Sequence, residues 1–214
     1  MFFYWVCWVV AYLPLRILYP LRLVGRKNLP KKQKAILACN HISNLDAPLI
    51  NSHLHRRPLT LAKHTLFENK FIGWFIRCFG GIPVNRDAVG ISTIKTVLNV
   101  LKEDKWLTVF PEGTRGHTNE EEQMALKNGV ALFALKSGAP IVPMWYIKKP
   151  KLFRFNKLLI GEPFTLSQFE GQKPTKEVLE QASEYISSKM KELRDNYFAE
   201  KEAKKKGKRK KVKI

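Results

Sequence analysis

Short apolar runs recur along this chain, each giving way to a segment of helical character, and that alternation is what most restricts the fold. Ala35–Cys39 (AILAC), Leu59–Lys63 (LTLAK), residues 106–110 (WLTVF) and residues 141–147 (IVPMWYI) have the length and apolar continuity of buried strands. Between them stand candidate helices at 47–54, 67–79 and 120–136, and a stretch in which Ile91, Ile94, Leu98 and Leu101 recur at steps of three and four. Further strands are expected at 21–25 and 158–160, and a long amphipathic helix at 174–197. Strands alternating with helices predict an α/β fold, a largely parallel layered sheet flanked by helices. With 214 residues the chain suits one domain with a substantial core.

Charge narrows the partners. A net charge of +20 and a pI near 10.0 call for something anionic: nucleic acid, a phosphate-bearing substrate or acidic lipid. No nucleic-acid motif and no interleaved basic and aromatic stacking surface is evident, so nucleic acid is not expected. Residues 201–214 hold nine Lys or Arg against one Glu and read as a basic disordered tail, suited to tethering on an anionic phospholipid membrane. At the other end, residues 1–15 carry no charge and include Phe2, Phe3, Tyr4, Trp5, Trp8 and Tyr12. Pro14 and Arg16 interrupt the run before the ~20 residues a spanning helix needs. Aromatic side chains favour the headgroup level, so residues 1–20 are expected to be a membrane-interface helical segment. The division is then 1–20 as anchor, 21–200 as the functional domain and 201–214 as tail. Cys7, Cys39 and Cys78 are odd in number and form no CxxC, which points to a reducing compartment without disulfides. His53, His55 and His64 lack acidic or cysteine partners at ligand spacing and read as surface histidines, with no metal expected.

The densest chemistry lies in Asn40 to Asp46, NHISNLD, where His41 leaves a strand and Asp46 precedes Ala47 and Pro48 at a helix start. A loop that folds back could set the carboxylate against the imidazole, fixing the tautomer of a general base that takes a proton from a hydroxyl or thiol. The same residues also fit an Asp N-cap beside a histidine that only ties the loop together. Residues 67–79, apolar on nearly every side, are expected to be buried in protein or membrane and to line a track for a hydrocarbon chain.

Three more blocks stand at strand ends in order: GGIPVNR at 80–86, FPEGTR at 110–115 and IVPM at 141–144. Together with NHISNLD, the HX4D block, they resemble the glycerolipid acyltransferase family, specifically its bacterial 1-acyl-glycerol-3-phosphate branch. The resemblance spans residues 21–161. It implies that His41 is the general base and Asp46 orients it. Lys63, Gly81, Arg86, Glu112, Gly113, Thr114 and Arg115 would bind the glycerophosphate acceptor, with Val142 and Pro143 near the acyl donor. The implied reaction moves a fatty acyl group from acyl-CoA or acyl carrier protein to the sn-2 hydroxyl of lysophosphatidic acid, giving phosphatidic acid for phospholipid synthesis. Glycerol 3-phosphate or another lysophospholipid is the alternative acceptor, and a basic membrane- or nucleic-acid-binding protein the non-enzymatic one. No cofactor is implied, and the expected location is the cytoplasmic face of the cell membrane, peripheral or monotopic. GxSxG is absent, so direct transfer is expected, with backbone amides near the FPEGTR block facing the oxyanion.

Overall fold

A computed structural model of the chain describes residues 9, 12–84, 91–111 and 120–211. Among these residues seven strands form one sheet: β1 Leu21–Val24, β2 Ala35–Cys39, β3 Leu59–Lys63, β4 Gly81–Val84, β5 Trp106–Val109, β6 Ile141–Tyr146 and β7 Asn156–Ile160. The helices are α1 Asp46–His53, α2 Lys70–Cys78, α3 Ile91–Lys102, α4 Glu120–Ser137 and α5 Lys176–Lys211. Across the sheet the order is β1-β7-β6-β2-β5-β3-β4. Five strands, β6, β2, β5, β3 and β4, are mutually parallel. β7 runs against β6, and β1 follows β7. The expected largely parallel α/β sheet is therefore the observed one.

Burial explains the central strands. All five residues of β2 and all four of β5 are buried, so both faces must be apolar and the runs show no polar alternation. Ile36, Ala38, Leu107, Val109 and Ile141 meet α3, α4 and α5 through Leu101, Ala131 and Ile186 among others. On α5 the residues Ala182, Ile186 and Met190 supply that contact at steps of four, one helical face. The opposite face of the sheet carries Leu37, Cys39, Trp106, Val142, Met144 and Tyr146, and packs on Ile50 of α1 and on Leu54. Because the five parallel strands end along one edge, the turns after β2 and β6 emerge side by side, with Cys39 in register with Met144. In open α/β sheets that carboxyl edge is where ligands bind.

Three expectations change. The segment expected as a disordered tail stays helical to Lys211, because Ala, Glu and Lys are strong helix formers and extend a helix already nucleated against the sheet. The helix expected at 67–79 begins at Lys70, where the Asn69 side chain accepts from the amides of Phe71 and Ile72 at 3.0 and 3.1 Å. Only Gly73 of that helix is buried, and Phe71 is 76% exposed, so its apolar girdle is not interior core. Residues 1–8, 10 and 11 lie outside the described residues, while 12–18 are helical. Among the described residues no helix is long and apolar enough to cross a membrane.

Candidate active site

β2 ends at Cys39 and the chain turns sharply so that Asp46, the first residue of α1, comes back onto His41. The His41 Nδ1 and Asp46 Oδ2 atoms are 2.9 Å apart. The same oxygen accepts from the backbone amides of Ile42 and Ser43, each at 2.7 Å. Asp46 is fully buried and the His41 side chain 13% exposed. The role expected of Asp46 as helix cap is corrected here: Leu45 occupies the cap position without a side-chain bond, and the Asp46 carboxylate is spent on the loop behind it. A carboxylate only accepts, so Nδ1 carries the hydrogen and Nε2 keeps the lone pair a general base needs. Phe110, just past β5, stacks on the imidazole with ring centres 4.4 Å apart and 29° between planes, holding the ring's orientation.

Two residues that motif reading left unassigned hold this loop to the sheet. Asn40, almost fully buried, extends the β2 and β6 pairing by one step with its side chain. Its Oδ1 accepts from the Tyr146 amide at 2.7 Å and its Nδ2 donates to the Tyr146 carbonyl at 3.2 Å. The Tyr146 hydroxyl in turn donates to the Asp46 carbonyl at 3.0 Å. Burial, with Cys39 and Asp46 nearby, pushes the Tyr146 phenol well above its ordinary value, so it stays a neutral donor. The signal for Asn40 was a polar residue closing a fully apolar strand; Tyr146, over a hundred positions away, gave none.

A cleft of about 360 Å³ opens beside the histidine, within the size range of small-ligand sites. His41, Asn44 and Phe110 stand in its lining, and the walls are Pro48, Leu61, Leu66, Ile72, Phe75 and Phe79, nearly all apolar. Of residues 67–79, expected to border a hydrocarbon track, Ile72, Phe75, Ile76 and Phe79 stand in this lining. Gly81 also lines the cleft, but from the amino end of β4, about 10 Å of strand away from the carboxyl edge. A Cβ there would sit 2.9 Å from the carbonyl oxygen of Ile76, so glycine lets β4 and α2 approach.

Lys63 is exposed at the end of β3, beside Val84 in register, and does not line the cleft. Val142 is fully buried beneath α1, and Pro143 pairs with Ala38; neither lines the cleft. Arg86, Glu112, Gly113, Thr114 and Arg115 lie outside the described residues. Of the three histidines expected at the surface, His55 and His64 are exposed. His53 is not: its Nδ1 is 3.0 Å from the Leu49 carbonyl, and its Nε2 accepts from the Leu21 amide at 3.2 Å.

A carboxylate-oriented imidazole stands at the mouth of an apolar cleft, on the carboxyl edge of an α/β sheet, an arrangement chemically able to take a proton from a group held beside it. The acyltransferase family model matches residues 20–147, from the start of β1 past the end of β6. A 1-acyl-sn-glycerol-3-phosphate acyltransferase of Bacillus subtilis is 33% identical over 186 residues, covering 80% of this chain and 87% of that protein. One from Saccharomyces cerevisiae is 35% identical over 126 residues, 58% of this chain and 41% of its own length. A 1-acyl-sn-glycerophosphate acyltransferase of Thermotoga maritima, solved by crystallography, superposes with a TM-score of 0.57 at 23% identity, covering 86% of this chain and 77% of that one, and shares the fold. The chain belongs to the acyltransferase family, as the four ordered blocks imply.

Proposed function

We propose that this acyltransferase moves a fatty acyl group from an acyl thioester, acyl-CoA or acyl carrier protein, to the sn-2 hydroxyl of 1-acylglycerol 3-phosphate, giving phosphatidate. The observation that carries the reading is the His41 to Asp46 pair opening onto an apolar cleft. The names of the relatives favour lysophosphatidate as acceptor.

In this mechanism Nε2 of His41 takes the hydroxyl proton as the oxygen attacks the thioester carbonyl, while Asp46 steadies the imidazolium through Nδ1. The tetrahedral intermediate expels the thiolate, which recovers the proton from His41, leaving ester and free thiol. Every atom and electron comes from the two substrates, so no cofactor is needed. The cleft shelters hydrocarbon and keeps water from the thioester. Lys63, Arg86 and Arg115 supply cations for the acceptor phosphate, where guanidinium groups bind in two-point fashion. Glu112, Gly113 and Thr114 position the acceptor, while Val142 and Pro143, buried in β6 away from the cleft, only pack beneath the site. The enzyme works at the cytoplasmic face of a membrane, where an acceptor with one acyl chain resides.

Purified protein given lysophosphatidate and acyl-CoA is expected to yield phosphatidate, and its His41→Ala form none. Acylation of glycerol 3-phosphate with lysophosphatidate left untouched would overturn the acceptor; an acylated protein accumulating in a burst would overturn direct transfer.

A further inference from the structure

We propose that residues 148–155, between β6 and β7, form a docking element that seats the site-bearing edge of the sheet on a bilayer containing anionic lipid. The inference rests on the membrane association proposed above, and not on which acceptor is used.

The segment reads KKPKLFRF: four cations, no acid, and three large apolar side chains. A soluble loop of that length would turn its aromatic residues inward. Here Phe155 is 84% exposed, Phe153 67% and Leu152 48%, with Lys148, Lys149, Lys151 and Arg154 exposed among them. Exposed aromatic side chains bracketed by cations match the headgroup boundary, where rings sit half wet and basic residues meet lipid phosphate.

The exposure is built in. Asn156, buried at the start of β7, accepts from the Lys151 amide at 2.8 Å and donates to the carbonyls of Lys151 and Arg154 at 3.1 and 2.9 Å. Phe153 is held at a φ of 52°, in the left-handed region that bulky residues rarely occupy, and its amide donates to the Leu18 carbonyl at 2.7 Å. That bond joins the loop to the N-terminal helical segment, where Leu13 and Ile17, one turn apart, are 52% and 62% exposed.

Position ties the loop to catalysis. It begins immediately past Tyr146 and Ile147, and Tyr146 is the residue whose hydroxyl holds Asp46. Tyr146 and His41 each stand two residues beyond the paired Met144 and Cys39, at the same edge of the sheet. A bilayer met by this loop lies next to the histidine, so an acceptor reaches the base without leaving the interface.

The test uses the full chain and two sets of vesicles, phosphatidylcholine alone and phosphatidylcholine with phosphatidylglycerol. Phe153→Asn with Phe155→Ser keeps the backbone sound, since Asn tolerates the left-handed φ. That double variant is expected to keep its thermal midpoint and its rate on a short-chain lysophosphatidate presented as monomer. Its partition onto anionic vesicles, and its rate on vesicle-borne acceptor, are expected to drop about tenfold or more. Lys148, Lys149, Lys151 and Arg154 all changed to Gln is expected to erase the preference for anionic vesicles. Full vesicle binding by the Phe153 and Phe155 variant overturns the inference alone, as does loss confined to Phe71→Ser with Trp74→Ser on α2. A parent protein that ignores both vesicles, or is captured by RNA in a salt-sensitive way instead, overturns the inference and the membrane association together.

Discussion

Tyr146 at the end of β6 donates its hydroxyl to the backbone carbonyl of Asp46 across 3.0 Å, which ties the sheet to the first residue of α1. Both residues are buried, and Tyr146 is fastened by the Asn40 side chain as well. The bond acts on the His41 and Asp46 pair through position alone. Tyr146→Phe is expected to lose about 1 kcal/mol of stability and to lower kcat several-fold with KM little changed. An unaltered kcat would leave Tyr146 a purely structural anchor.

Asp46 Oδ2 accepts from three donors, His41 Nδ1 and the amides of Ile42 and Ser43. In Asp46→Asn the amide oxygen can still accept from all three donors, but it carries no negative charge, and the new amide nitrogen takes the buried place of Oδ1, which has no partner among the described residues. The imidazolium formed when His41 takes a proton then lacks its counter-charge. A fall in kcat of about 10²- to 10⁴-fold is expected with the fold intact by circular dichroism. A loss under threefold would remove Asp46 from the mechanism.

Gly81 sits where a Cβ would meet the Ile76 side chain at 2.2 Å and its carbonyl oxygen at 2.9 Å. Backbone cannot rotate aside as a side chain can, so Gly81→Ala must push α2 off β4. The expected loss is about 1–3 kcal/mol, as for other overpacked sites. Because Ile72, Phe75 and Ile76 move with α2, the rate with long-chain donors should fall more than with short-chain ones. Equal effects across chain length would detach the cleft from the acyl chain.

Burial on both faces leaves Ala35–Cys39 an unbroken apolar run, and both it and the mostly half-buried Leu59–Lys63 have the bounds read from sequence. β7 begins earlier than expected, at Asn156, a residue whose polarity argues against a strand until its loop bonds are seen. The tail reads as disordered when its charge is weighed, and as helix when its propensities are. A segment apolar all round, such as α2, does not say whether protein, lipid or solvent meets it. At the site, the spacing of His41 and Asp46 was readable because loop and partner are local. Asn40 to Tyr146 spans 106 positions, and pairing at that distance exists only once β2 and β6 lie side by side.

Thr108 on β5 and Thr60 on β3 are in register, both buried, and neither hydroxyl has a partner among the described residues. A buried unpaired hydroxyl is worse than the methyl group that replaces it. Thr108→Val, nearly isosteric, is expected to raise stability by about 1 kcal/mol, read as a higher urea midpoint at unchanged slope. A lower midpoint would mean that the hydroxyl is bonded in solution.

His53 links α1 to β1, and its chemistry gives stability a pH dependence. Nε2 accepts from the Leu21 amide, so the neutral ring with hydrogen on Nδ1 is the form that fits. Burial, chiefly, lowers its pKa from 6.5; the Leu49 carbonyl works the other way and the Arg16 guanidinium adds to the lowering. Above pH 6.5 both folded and unfolded chains hold the ring neutral, and the contribution is whole. Below it the unfolded chain takes the proton first, so stability declines as pH drops toward the lowered folded value. Urea midpoints at about pH 7.5 and about pH 5.5 should therefore differ less in His53→Gln, whose amide can still accept from Leu21, than in the parent. An equal difference in both proteins would assign the acid sensitivity to another group.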